Sequence, residues 1–179
     1  MNTTASETTK RVRQTRTDAL LGKKKHYNAA DRKQCYQTWL GTGVIGINVL
    51  LGSALLILLK ASIPESVKWI GAALALLAAL FSALQTHFGF SKAVQGHRAI
   101  AGRYLEVVKQ SSNSLAANAD GSISGEQLAK KLDSLTAMMT KIDADAHAYP
   151  TSNTDFQKAR LGIADGEEEY TDRDLSAGD

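Results

Sequence analysis

An all-α membrane protein, in which a two-span transmembrane helical hairpin carries cytoplasmic helices packed as a bundle, is the fold class this sequence predicts, on three observations. The stretch from Trp39 to Leu59 runs 21 residues without a charge. At 1.5 Å rise per residue it spans about 30 Å, the thickness of a bilayer's hydrocarbon core. A second run of 22 residues, Trp69 to Phe90, also has no formal charge, although Gln85, Thr86 and His87 make its last third more polar. Between them KASIPESVK holds a proline and three charges, just enough chain to turn a helix back. A buried hairpin inside a soluble bundle is the competing reading; core helices of soluble domains seldom stay uncharged for so long.

In chain order, residues 1–17 are Thr, Ser, Arg and Gln with almost nothing to bury, which predicts a disordered basic arm. Asp18 can serve as an N-cap, and from there a single helical domain is expected over 18–163. Nothing between Asn28 and Trp39 would stop that first helix from running directly into the first span, 39–59.

The second span, 69–90, has two stripes. Ile70, Leu74, Leu77, Phe81, Leu84 and Phe88 recur at helical spacing, and Gly71, Ala75, Ala78, Ser82, Gln85 and Gly89 follow one residue later. In lipid, helices associate through small residues and polar side chains, so the small stripe is expected to face protein or water and the large one lipid. In the first span Gly41, Asn48 and Gly52 share one side, with Thr42, Gly46 and Ser53 adjoining. This is more small surface than one hairpin contact needs, which predicts a homo-oligomer.

Past Phe90 the second helix is expected to continue into a cytoplasmic part, 91–163, weakened but not ended by Gly96 and Gly102. Ser111 to Gly121 is the expected break. Ser124 with Gln127 three residues on forms a capping box, and Leu128, Leu132, Leu135, Met139, Ile142, Ala146 and Tyr149 then make an unbroken heptad stripe that must pack on another helix. The helices flanking the two spans are the candidates. Pro150 ends this helix, Ser152 or Asn153 can cap a short one carrying Phe156 and Leu161, and 164–179 is expected to be a disordered acidic tail.

Orientation follows from the flanks. Lys23, Lys24, Lys25, Arg32 and Lys33 precede the first span and Lys92, Arg98, Arg103 and Lys109 follow the second, against Lys60 and Lys68 in the loop. The positive-inside rule places both termini in the cytoplasm, with Tyr36, Trp39 and Trp69 as interfacial anchors. The first 35 residues contain no apolar run, so the hairpin itself is the expected targeting signal. The net charge of +3 hides an asymmetry: nine of 21 basic residues lie between Lys10 and Lys33, and seven of 18 acids between Asp165 and Asp179. The basic cluster fits anionic lipid. Nucleic acid is not an expected partner, because no aromatics interleave with Lys10, Arg11, Arg13 and Arg16.

No constellation for catalysis or a cofactor emerges. The lone Cys35 allows no intramolecular disulfide, and His26, His87, His97 and His147 show no metal-ligand spacing. Asp143, Asp145 and His147 alternate on a helix and read as a solvated surface. The chain is not expected to be an enzyme. Polar residues within the spans are more informative, since they are costly in lipid unless they find partners or line water. Asn48 and Ser82 fall at similar depth, with Gln85 a turn nearer the cytoplasm and His87 near the mouth. They either staple the hairpin, together with packing at Gly46, Gly52, Gly71, Ala75 and Ala78, or line a conduit through an oligomer.

The flanks carry a resemblance. His26-Tyr27-Asn28-Ala29-Ala30-Asp31-Arg32 leads into the first span, two spans follow with a minimal loop, and Tyr149-Pro150-Thr151-Ser152 then precedes Asp155-Phe156-Gln157-Lys158-Ala159-Arg160. In this order the features over residues 18–163 resemble the SLATT family, bacterial two-transmembrane effector domains associated with nucleotide-second-messenger synthases and nucleotide-sensing domains. The resemblance implies a membrane-disrupting or pore-forming effector of anti-phage or conflict systems, silent until a cytoplasmic nucleotide-sensing or second-messenger-synthesising partner acts, and it carries no catalytic residues. The alternative is a non-conducting membrane anchor or scaffold that recruits a cytoplasmic enzyme.

Overall fold

A computed structural model describes the backbone of residues 3–58 and 64–168 and the side chains of 7–53 and 64–168. Among these residues the protein is all-helical: α1 (Thr3–Leu58), α2 (Glu65–Phe88), α3 (Phe90–Ala119), α4 (Gly125–Ala146) and α5 (Asn153–Ala164). The helices form two units. One combines the described parts of Met1–Ala30 and Gln95–Asp179; the other is Asp31–Val94.

The first unit is a helical bundle whose core is a set of aligned rows. Leu128, Leu135 and Ile142 of α4, seven residues apart, are buried against Val12, Ala19 and Leu20 of α1 and Ile100, Tyr104, Val107 and Val108 of α3. Leu132, Met139, Ala146 and Tyr149 of the same stripe flank this core half-buried. Each large side chain removed from water contributes roughly 1.5–3 kcal/mol, an upper figure because denatured chains already bury some apolar surface. α4 starts on the capping box: Ser124 Oγ accepts from Gln127 N at 3.2 Å, and Gln127 Oε1 accepts from Ser124 N at 2.8 Å. Ser152 and Asp155 build a second box at the start of α5.

Three expectations for this unit are corrected. The basic arm over 1–17 is not disordered where it is described: α1 begins at Thr3, Asp18 lies inside it, and Val12 is fully buried. Val12 was too sparse a signal for burial by itself, but it sits one heptad before Ala19, and Arg16 Nε donates to Ser112 Oγ of α3 at 2.8 Å. Nor is the chain broken at Ser111: α3 runs to Ala119, with Ser111 buried and Ser114 Oγ bonding back to the Gln110 carbonyl at 2.8 Å. Packing overrides the weak helix propensity of Ser and Asn here, and the turn is confined to 120–124. The start of the acidic tail is also ordered, since Asp165 to Glu168 form a turn in which Glu167 pairs with Lys24 and Glu168 Oε2 lies 2.7 Å from Lys23 Nζ. Lys24 holds Glu167 below the usual carboxylate range. The rest of the tail, 169–179, lies outside the described residues, as do the hinge residues 59–63.

In the second unit α1 continues unbroken through the first apolar run to Leu58, and α2 carries the second. Its chain does not pass smoothly into α3. Gly89 takes the left-handed conformation (φ 52°) and caps α2, a conformation that costs residues with a side chain roughly 1–2 kcal/mol. Among the described residues one helical stretch, Glu65–Ala119, is long and apolar enough to cross a membrane, and 6% of its most apolar 18 residues are buried. A core helix of a soluble protein would be mostly covered. Here Trp69 and Leu76 are each about three-quarters exposed, and Ile70, Leu77, Leu80 and Phe88 are exposed as well.

Candidate functional site

Within the second unit the contact between α1 and α2 is mixed rather than small-on-small. An added Cβ on Gly43 would lie 3.5 Å from the Phe81 ring, and one on Gly71 4.0 Å from Leu51. On α2 the covered positions are Gly71, Leu74, Ala78, Phe81, Leu84 and Gln85, while Ala75, Ser82 and Gly89 are exposed along with Ile70, Leu77 and Phe88. The expectation that the large stripe faces lipid is therefore corrected for Leu74, Phe81 and Leu84, which lie on the covered side of α2. Phe81 packs beside Gly43 of α1, and Gln85 beside Gly41. Gln85 is half-buried, with Nε2 3.5 Å from the Gln37 carbonyl. Asn48, Ser82 and His87 are exposed, as are Gly46 and Gly52. Of the four polar positions singled out from sequence, only Gln85 lies against the neighbouring helix.

The first unit contains a polar cluster that spacing did not reveal. His26 of α1 and His97 of α3, 71 positions apart, are both buried with their Nδ1 atoms 3.1 Å apart. Tyr104 closes one side, its ring 5.8 Å from His26, and Tyr149 the other, 5.8 Å edge-on to His97. Gly96 makes this possible, because a side chain there would run into the Tyr149 ring. The Tyr104 hydroxyl donates to Asp143 Oδ1 at 2.6 Å, and Arg103 pairs with Asp145, so two of the acids expected on a solvated face tie α4 to α3. Asn28 Nδ2 donates to the Asp155 carbonyl at 3.0 Å, and Ala29 and Ala30 beside it are fully buried. Asp155 is itself buried, its Oδ2 accepting from Ser152 N and Oγ, each at 2.8 Å. The stretches before the first span and after α4 thus meet in one cluster.

Burial, then the neighbouring His97 and Lys25, push the His26 imidazole from 6.5 down to about 4. Burial and the bond to Asp143 raise the Tyr104 phenol, keeping it a donor. When both rings are neutral, the 3.1 Å contact requires one Nδ1–H donor and one bare Nδ1 acceptor, which is the condition of opposite tautomers. Among the described residues no three of His, Cys, Asp and Glu converge as metal ligands would. The sequence did carry a signal for the pair: Val12–Ala19–His26 and His97–Tyr104–Ser111 are heptad rows, and all six are buried. A histidine in such a row reads as a polar position and not as core, which hides the pair.

A family model described as SMODS and SLOG-associating 2TM effector domain family 4 matches residues 9–174. No curated protein and no solved structure matches the chain.

Proposed function

From the premise that the chain belongs to family 4 of the SMODS and SLOG-associating two-transmembrane (SLATT) effector domains, we propose that it inserts as a two-span hairpin, oligomerises and permeabilises the bacterial inner membrane as part of a nucleotide-signalled conflict system. The observation that carries this reading is the bare apolar surface of the second unit. Trp39, Ile45, Val49 and Leu50 of α1 and Trp69, Leu76 and Leu80 of α2 are all more than half exposed. Water does not tolerate such a surface; lipid and further copies of the hairpin cover it. Asn48 and Ser82, exposed at similar depth, then serve as layers of a water-lined path, since polar groups in lipid need partners. The basic flanks put both termini in the cytoplasm, beside the second-messenger synthase or nucleotide sensor that would release the effector.

Ion flux from liposomes holding the purified full-length chain tests the reading. Asn48→Leu and Ser82→Leu should each lower flux several-fold while leaving insertion intact. Flux unchanged by both would remove them from the path. Gln85 supports a second reading, that of a non-conducting anchor, because it lies against α1 and does not add to an exposed polar layer. Inserted, assembled protein that leaves liposomes tight in the presence of its partner would favour the anchor.

A further inference from the structure

We propose that His26 and His97 form a proton-sensitive clasp between α1 and α3, closed while both imidazoles are neutral and opened by proton uptake. The geometry carries it. The two Nδ1 atoms face each other at 3.1 Å in a buried site, and only a shared single proton satisfies both. One added proton must be carried by a ring walled in by Tyr104 and Tyr149; a second sets two N–H groups head-on. The clasp lies four residues before the end of its unit on α1 and two residues after the unit resumes on α3. Its opening therefore acts on both helices where they leave the bundle.

Charges from each of the packed helices bear on His26. His97 of α3 and Lys25 of α1 oppose protonation of His26, whereas Asp155 of α5 and Asp143 of α4 favour it. The carboxylates do not outweigh burial, because Asp143 is engaged by Tyr104 and Asp155 by Ser152. A cleft of about 400 Å³, lined by Lys25, His26, Tyr104, Asp143, His147 and Tyr149, gives water a path to the His26 ring. With the His26 value depressed from 6.5 to about 4, the closed state is fully favoured above pH 6.5 and loses ground as pH falls towards 4. The inference does not depend on whether the spans conduct.

Hydrogen exchange on the full-length protein in detergent micelles, corrected for the intrinsic pH dependence of exchange, tests it. From pH 7.5 to 5 protection over residues 20–30 and 95–108 should fall roughly 30-fold. In the double variant His26→Gln/His97→Gln, which can hydrogen-bond but not titrate, it should fall less than about threefold. Undiminished protection in the parent protein, or an equal loss in the double variant, would overturn the clasp. Imidazole nitrogen NMR of the parent provides a measurement that needs no variant. At pH 7.5 one Nδ1 of the pair should be protonated and the other bare; two rings titrating independently near 6.5 with protection unchanged would equally overturn it.

Discussion

Tyr104 is held from three directions, by the His26 ring, by the Asp143 carboxylate and by Gly22, whose added Cβ would sit 2.8 Å from its ring. Alanine in a helix is otherwise worth up to about 1 kcal/mol over glycine, so position decides the sign. Gly22→Ala should destabilise the bundle by about 1–3 kcal/mol, because a ring 2% exposed has nowhere to go. Gly102→Ala, with nothing within 4 Å, should stabilise it by up to about 1 kcal/mol. Chemical denaturation followed by circular dichroism checks both, and equal shifts of the same sign would mean that the Gly22 contact is not tight. Residue roles of this kind were hardly legible beforehand. By spacing alone Gly96 and Gly102 are helix weakeners, yet Gly96 makes room for Tyr149, and the interruption is at Gly89. Such roles depend on a partner dozens of positions away, which local spacing does not encode.

Among the elements, α4 was the most legible, because a capping box and an unbroken heptad row agree on one helix and one buried face. Leu135→Asp puts a carboxylate where a side chain is 1% exposed, and hydrogen exchange across 125–146 should accelerate at least tenfold. Leu161→Asp, at a position 64% exposed on α5, should leave exchange within about twofold of the parent. Unchanged exchange in Leu135→Asp would refute the packing. The ends of α1 and α3 were less legible, since Thr, Ser and Asn dominate them and their order comes from tertiary partners. Val12 and Ser111 are each fully buried in sequence that reads as a loop. The turn after α5 is hidden for the same reason: its acids look like a solvated tail until Lys23 and Lys24 are placed beside them.

For the whole molecule, the apolar runs were plain in the sequence, whereas the face each span turns to its neighbour was not. Stripe composition predicts association, but not the rotation that brings Leu74 and Phe81 inward and leaves Ala75 and Ser82 outside. The two alanines should consequently behave differently. Ala75→Leu, on the exposed side, should weaken cross-linked oligomers in membranes, while Ala78→Leu, 6% exposed, should loosen the hairpin itself. Monomers from the parent protein would argue against assembly. The proposed two-span topology sets lipid against the bare surface of α1 and α2 and puts Cys35 and Ser66 on opposite sides of the bilayer, and the chain carries its own reporter in its single cysteine, the exposed Cys35. Membrane-impermeant maleimide should label Cys35 in inverted inner-membrane vesicles and not in intact spheroplasts, and the opposite pattern should hold for Ser66→Cys in a Cys35→Ser background. Labelling of both positions from the same side would contradict the two-span hairpin.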